Sequence, residues 1–137
     1  MKRKKQFTVL VGLIAAVVLG SATRPPKAPK GQYENLKVLP KDISSKDLQG
    51  IMTDDFEDGL GVSCGFCHAS AAGGRGLDFA SDAKPEKEIA RAMMRMTIGL
   101  NKKYFKVKHP VIGGSTLTIT CATCHKGEPF PDGDLLH

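Results

Sequence analysis

All four cysteines of the chain fall in two copies of one pattern, Cys64-Gly65-Phe66-Cys67-His68 and Cys121-Ala122-Thr123-Cys124-His125. Nothing else in the sequence limits the fold as sharply. Each copy must bring two thiols onto one turn and set an imidazole directly after them. C-x-x-C-H is the attachment sequence of c-type haem. Each sulfur can add to one vinyl group of the porphyrin, and the two-residue spacer keeps both sulfurs at one edge of the ring. The following histidine then lies under the iron as an axial ligand. On this chemistry Cys64, Cys67, Cys121 and Cys124 anchor two covalently bound haem c groups, and His68 and His125 ligate the metal.

Other uses of paired cysteines compete with haem. Cross-linking as disulfides suits an exported chain, and two Cys-x-x-Cys knuckles could form a four-cysteine zinc-binding module. Neither calls for a histidine at the same place after both pairs. Thiol–disulfide exchange would require a βαβ context that this helix-patterned chain lacks.

The start of the chain reads as a targeting segment. Met-Lys-Arg-Lys-Lys precedes the apolar run Phe7–Leu19, with the small residues Gly20 and Ala22 after it. That order describes a secretory signal peptide, and Phe7–Ala22 is also close to the length of an N-terminal membrane anchor. Either way residues 1–22 direct the rest of the chain to the periplasmic or extracytoplasmic side. No cysteine directly follows the run, which argues against a lipoprotein. The formal charge is +6, but residues 23–137 hold 16 Lys or Arg against 14 Asp or Glu, a net of +2. The basic balance is therefore largely a property of the export segment, and nucleic-acid binding has no support. Lys102, Lys103, Lys106 and Lys108 form one local basic cluster, read as a solvated face or a docking patch.

Residues 23–40 are a Pro- and Lys-rich tether, and residues 41–137 form the folded domain. Ser44 or Ser45 is an N-cap, with Asp47 in the first turn. Leu48, Ile51, Met52 and Phe56 follow as one helical stripe, stopped by Gly59-Leu60-Gly61. Residues 69–80 are loop-like. A second helix opens near Lys84 with Pro85 in its first turn and runs to about Tyr104. Its stripe is Ile89, Met93, Met96 and Leu100, with Met94 off the line. Thr116–Thr120 alternates like an extended segment and leads into the second motif. The chain is thus mainly α, with long loops and one helix-plus-motif unit used twice. Aromatics are only 6% and Trp is absent, so the core is thin and haem would supply its missing apolar bulk.

The sixth ligand of each iron separates an electron carrier from an enzyme. Met52 lies on the helix before the first motif, and Met93 and Met96 lie on the helix before the second. Methionine on an apolar stripe serves either as packing or as a thioether ligand, and its presence on both helices favours the ligand.

Leu77-Asp78-Phe79-Ala80-Ser81-Asp82-Ala83-Lys84, Ala90–Asn101 and Ile119–Gly127 together resemble the tetrahaem cytochrome subunit of photosynthetic reaction centres. The resemblance covers roughly residues 46–127, one two-haem half of that subunit. It implies Met93 as the ligand of the second haem iron, with Met96 its packing neighbour and the alternative ligand. It also implies Met52 for the first, one residue closer to its cysteine than the family spacing. A family histidine that reaches across to the other half falls in the interval holding His109. The chain has only two motifs, so His109 is a surface histidine or a ligand to another haem, and His137 is exposed. Small dihaem relatives are not tied to photosynthesis.

The expected protein is an electron-transfer protein and not an enzyme. It would carry single electrons between redox partner proteins, with membrane anchorage through its N-terminus as one option. A small haem peroxidase-like enzyme with one labile axial position, or the zinc module, is the alternative.

Overall fold

The computed structural model describes residues 33–131. The export segment 1–22, the start of the tether and His137 lie outside the described residues. Among those described, no helix is long and apolar enough to cross a membrane.

The first helix, α1 (Ser45–Gly50), begins where the sequence places it. Ser44 has extended backbone, and its hydroxyl accepts the Asp47 N–H at 3.1 Å. The chain then continues without a break as a π-helical segment, Ile51–Asp58, where the sequence predicts ordinary α-helix. Thr53 gives a physical reason. Its hydroxyl lies within reach of the Gln49 and Gly50 carbonyls, at 3.1 and 3.2 Å, and competes for acceptors of the α ladder. Gly50 adds weak helix propensity at the same point. The Gly59 N–H accordingly reaches back five residues, to the Asp54 carbonyl. The apolar stripe survives the change: Ile51 is buried, and Leu48, Met52 and Phe56 pack against the core.

The first motif forms the single turn α2 (Cys64–Cys67). The loop after it closes on a two-residue ladder, β1 (Ala69–Ser70) antiparallel to β2 (Leu77–Asp78), with Ala69 opposite Asp78. Gly73, Gly74 and Gly76, all at positive φ, make that reversal possible. The long helix α3 (Pro85–Lys103) has Glu86 and Glu88 in its first turn and Lys102 and Lys103 in its last, each suited to the local helix dipole. The second motif is α4 (Cys121–His125).

The apolar core of the described residues is thin: Leu39, Ile43, Ile51, Met94 and Ile112. Leu39 belongs to the stretch assigned to the tether, and Tyr33, Leu36 and Val38 pack beside it. The packed unit therefore takes in residues 33–40 and begins ahead of residue 41. The apolar Leu36, Val38 and Leu39 outweigh the Pro and Lys composition around them.

Helix α3 corrects the predicted orientation. Met94, off the predicted stripe, is 6% exposed and packs in the core beside Arg91, Thr97 and Asn101. Ile89, Met93 and Met96 are 57%, 41% and 48% exposed. The helix buries its more polar face and turns its apolar face outward. Full burial of each such side chain is worth about 1.5–3 kcal/mol. With about half of each side chain open, the three together forgo roughly 2–4 kcal/mol, a sizeable part of the roughly 5–15 kcal/mol net stability of a whole domain.

Two polar devices make the buried face workable. Asn101, with no exposed surface, donates to the Thr97 carbonyl at 2.9 Å and the Ile119 carbonyl at 2.8 Å. Its own carbonyl accepts the Thr118 and Ile119 N–H groups at 2.7 and 3.1 Å. This explains why Thr116–Thr120 alternates without becoming a strand: a side chain, not a neighbouring strand, takes its backbone groups. Arg91 donates to Asp82 at 2.8 Å, to Glu88 at 2.9 Å and to the Asn35 carbonyl at 3.0 Å. Asp82 also takes Lys37 at 2.7 Å and Asn35 at 2.8 Å, joining the N-terminal segment to α3.

Replacing Asn101 by Ala removes the partner of two backbone donors, Thr118 and Ile119, and of two carbonyls, Thr97 and Ile119. Urea titration is expected to show a loss of about 2–4 kcal/mol. Hydrogen bonds from Lys37, then Arg91 and Asn35, hold the Asp82 carboxyl well below the usual carboxylate range. A depressed folded-state pKa contributes stability above the unfolded value of about 3.9 and loses it as pH falls below that value. The stability gap between the wild type and Asp82→Asn should be constant at neutral pH and narrow below about pH 4, as followed by acid titration of the helical circular dichroism.

Candidate functional site

Each motif is shaped by main-chain contacts and then leans on the other unit of the chain. In α2 the His68 N–H bonds the Cys64 carbonyl at 3.0 Å. The Lys84 ammonium, just before α3, donates to the Phe66 carbonyl at 3.0 Å and also to that of Gly65. A lysine at open helical carbonyls complements their partial charge. In α4, Thr120 and Thr123 cap one another reciprocally. Lys126 then adopts the left-handed conformation and Gly127 comes next at φ +85°. The turn aims the Gly127 N–H at the Gly59 carbonyl, 3.1 Å away at the end of the π-helical segment. Gly61, at φ +65°, has no room for a side chain, because one would run into the Gly127 carbonyl. The first motif thus rests on the start of α3, and the second rests on the end of the π-helical segment.

Between them lies a cleft of about 190 Å³. Cys121, Cys124 and His125 of the second motif line it, with Met93 and Met96 from α3 and Cys67 from the first motif. Its other walls are largely apolar, among them Phe56, Phe66, Ile89 and Leu100. A pocket that engulfs a drug-sized molecule is roughly 300–1,000 Å³, so this cleft is too small to enclose one and can offer only a wall to a larger group. The outward apolar face of α3 is one of its walls.

The sequence-predicted residues divide accordingly. Cys67, Cys121, Cys124, His125, Met93 and Met96 share the cleft, whereas Cys64, His68 and Met52 do not line it. Met52 is half-buried against the core. His68 stands edge-on to Phe79 with ring centroids 5.0 Å apart, and its Nδ1 is buried without a hydrogen-bond partner. His109 is exposed on the loop after α3.

The donor set suits a thioether-bound porphyrin better than the competing uses. All four cysteines are free thiols. Burial, then Asp55, pushes the Cys121 thiol up to about 11. Burial also raises Cys67, and the Cys64 thiol is raised by its hydrogen bond to Glu57. Metal binding and disulfide exchange both need the thiolate, and these surroundings favour the thiol. Among the described residues no group of three or more His, Cys, Asp or Glu converges as a metal site, so the four sulfurs do not gather as a zinc cage. His125 Nδ1 lies 3.1 Å from the Glu128 carbonyl. A carbonyl can only accept, so Nδ1 is the donor in this contact and Nε2 is the ring nitrogen left for a metal, the arrangement of a ligating histidine. Burial, then Lys87 and Arg91, lowers the His68 pKa, which favours the neutral imidazole.

Sequence reasoning misses the supporting roles of Lys84, Asn101 and the Thr120–Thr123 cap. The cap has a readable signal in two hydroxyl side chains three residues apart at the head of the motif. Lys84 and Asn101 have none, since their partners lie 17 to 19 positions away in the chain.

Comparison with known proteins agrees with this chemistry. Cytochrome c-554 of Chloroflexus aurantiacus is 33% identical over 87 residues, covering 64% of this chain and 19% of the relative. The photosynthetic reaction center cytochrome c subunit of Rubrivivax gelatinosus is 32% identical over 68 residues, covering 50% of this chain and 15% of the relative. The chain spans less than a fifth of the length of these curated relatives. The model of the photosynthetic reaction centre cytochrome C subunit family matches residues 13–134. With both motifs inside that match, the chain belongs to this family of electron-transfer cytochromes.

Proposed function

We propose that the protein is an exported dihaem c-type cytochrome that passes single electrons between redox partner proteins. The observation that carries the reading is the cleft, where the three thiols of Cys67, Cys121 and Cys124, the His125 imidazole and the methionines Met93, Met94 and Met96 meet an apolar wall that the protein itself leaves uncovered. Cys121 and Cys124 would hold one haem c through thioethers, with His125 and Met93 as axial ligands. Cys64, Cys67, His68 and Met52 would do the same for the other. Bound haem supplies an iron that cycles between the ferrous and ferric states without moving atoms.

The chain's own residues have a simpler task, which is to hold the ligands still and keep water away. Covalent anchoring retains the group in a small domain, and the Glu128 carbonyl orients His125. A methionine thioether and an imidazole held together on the iron would leave no labile position and would raise the reduction potential, which favours a carrier over peroxide chemistry. Met93 and Met96 both reach the cleft. The family resemblance selects Met93 as the ligand, with Met96 packing one turn on. Export follows from residues 1–22, whether they are removed or stay as an anchor.

A pyridine haemochrome assay with intact mass is expected to count two haem c groups per chain. Colourless protein, or bound zinc, would sink the proposal. In the holoprotein, Met52→Ala and Met93→Ala should each remove the methionine–iron charge-transfer absorption of one haem, while Met96→Ala preserves both. Loss through Met96→Ala instead would move the ligand one turn along α3.

A further inference from the structure

We propose that Lys102–Val111 is a docking surface for an acidic face of a redox partner protein, which exchanges electrons at the second site. What is exchanged rests on the dihaem reading above; where it happens rests on charge, exposure and anchoring.

Acidic residues are absent from the whole stretch between Glu88 and Glu128. Within it Lys102, Lys103, Lys106 and Lys108 are all exposed. Four bases elsewhere, Lys37, Lys87, Arg91 and Arg95, are neutralised locally by Asp82 or Glu88. None of the four clustered lysines has such a partner among the described residues. Lys106 donates to the Lys103 carbonyl, and the Lys103 ammonium stands 5.0 Å from the Tyr104 ring centre. Their positive field is left available to a partner.

Tyr104, Phe105 and Val111 are exposed in the same segment. Large apolar side chains interleaved with unpaired lysines have the composition of a transient interface, with an apolar centre and a charged rim. The segment is also held in place. The Val107 N–H bonds the Asn101 carbonyl at 3.1 Å, and Ile112, just beyond Val111, is buried. Asn101 in turn holds the Thr118–Ile119 lead-in to α4. Leu100, one turn before Tyr104, shares the cleft with His125. A protein seated on this shoulder is therefore beside the second site. One electron crosses per encounter, the partner being oxidised by one as the site is reduced by one, with no proton transferred. An anionic lipid surface is served best by an amphipathic helix with one apolar face, whereas the backbone here is irregular beyond Lys103.

The test uses the holoprotein, its two haems first counted, on gold carrying a carboxylate-terminated monolayer as the acidic probe. Adsorption is read by quartz microbalance and electron exchange by voltammetry. Lys102→Glu/Lys108→Glu should weaken adsorption and slow exchange about tenfold or more at low salt, with the difference fading as salt rises. The charge-matched pair Lys46→Glu/Arg75→Glu, on exposed positions elsewhere, should stay within about twofold of wild type. Equal losses in both pairs would overturn the proposal, since net charge alone would then suffice. Tight binding to phosphatidylglycerol vesicles at physiological salt, abolished by the first pair, would overturn it in favour of a membrane. Failure of the haem count would instead strike the dihaem reading itself.

Discussion

Helix α3 is anchored on its polar face, and the site depends on that inversion. Arg91 is bound to Asp82, Glu88 and the Asn35 carbonyl, and Asn101 is satisfied by the lead-in to α4. These bonds would be costly to leave unmade in the interior, so they set which side of the helix faces the protein. Once that side is chosen, Ile89, Met93 and Met96 must face the cleft. The fold therefore accepts an apolar wall in contact with solvent, a state that a large bound ring would relieve.

The two helix-plus-motif units do not fold as separate beads. The first motif is held by Lys84 at the start of α3, and the second by Gly59 at the end of the π-helical segment. Gly61 is what permits the second of these approaches, because any side chain there would collide with Gly127. The cleft consequently receives Cys67 and Phe66 from one unit and Cys121, Cys124 and His125 from the other.

Much of this is legible in the residues, because local chemistry decides it. The Ser44 cap, Pro85 at the head of α3, the turn of each Cys-x-x-Cys and the stop after Asp58 all come from neighbours within a few positions. The face of α3 is not legible in the same way, for a clear reason. A hydrophobic stripe predicts which residues avoid water, and it is silent on whether protein or cofactor covers them. Residues 33–40 read as tether because they continue the Pro- and Lys-rich stretch 23–31, although Leu36 and Leu39 pack onto the core. The π-helical widening after Gly50 has no periodic signature, since it arises from one threonine hydroxyl competing for backbone carbonyls.

Sequence alone determined the chemistry available: four thiols in two C-x-x-C-H motifs, an imidazole after each pair, and methionines on the helices ahead of them. These are matters of residue type and short spacing, which survive without knowledge of the fold. Only the tertiary structure decided which of them meet. It brought Met93, Met96, Cys67 and the second motif into one cleft, left Met52 against the core, and turned Met94 inward. The reason is that long-range hydrogen bonds, above all those of Asn101 and Arg91, choose the rotation of α3, and no local pattern records a partner that far along the chain.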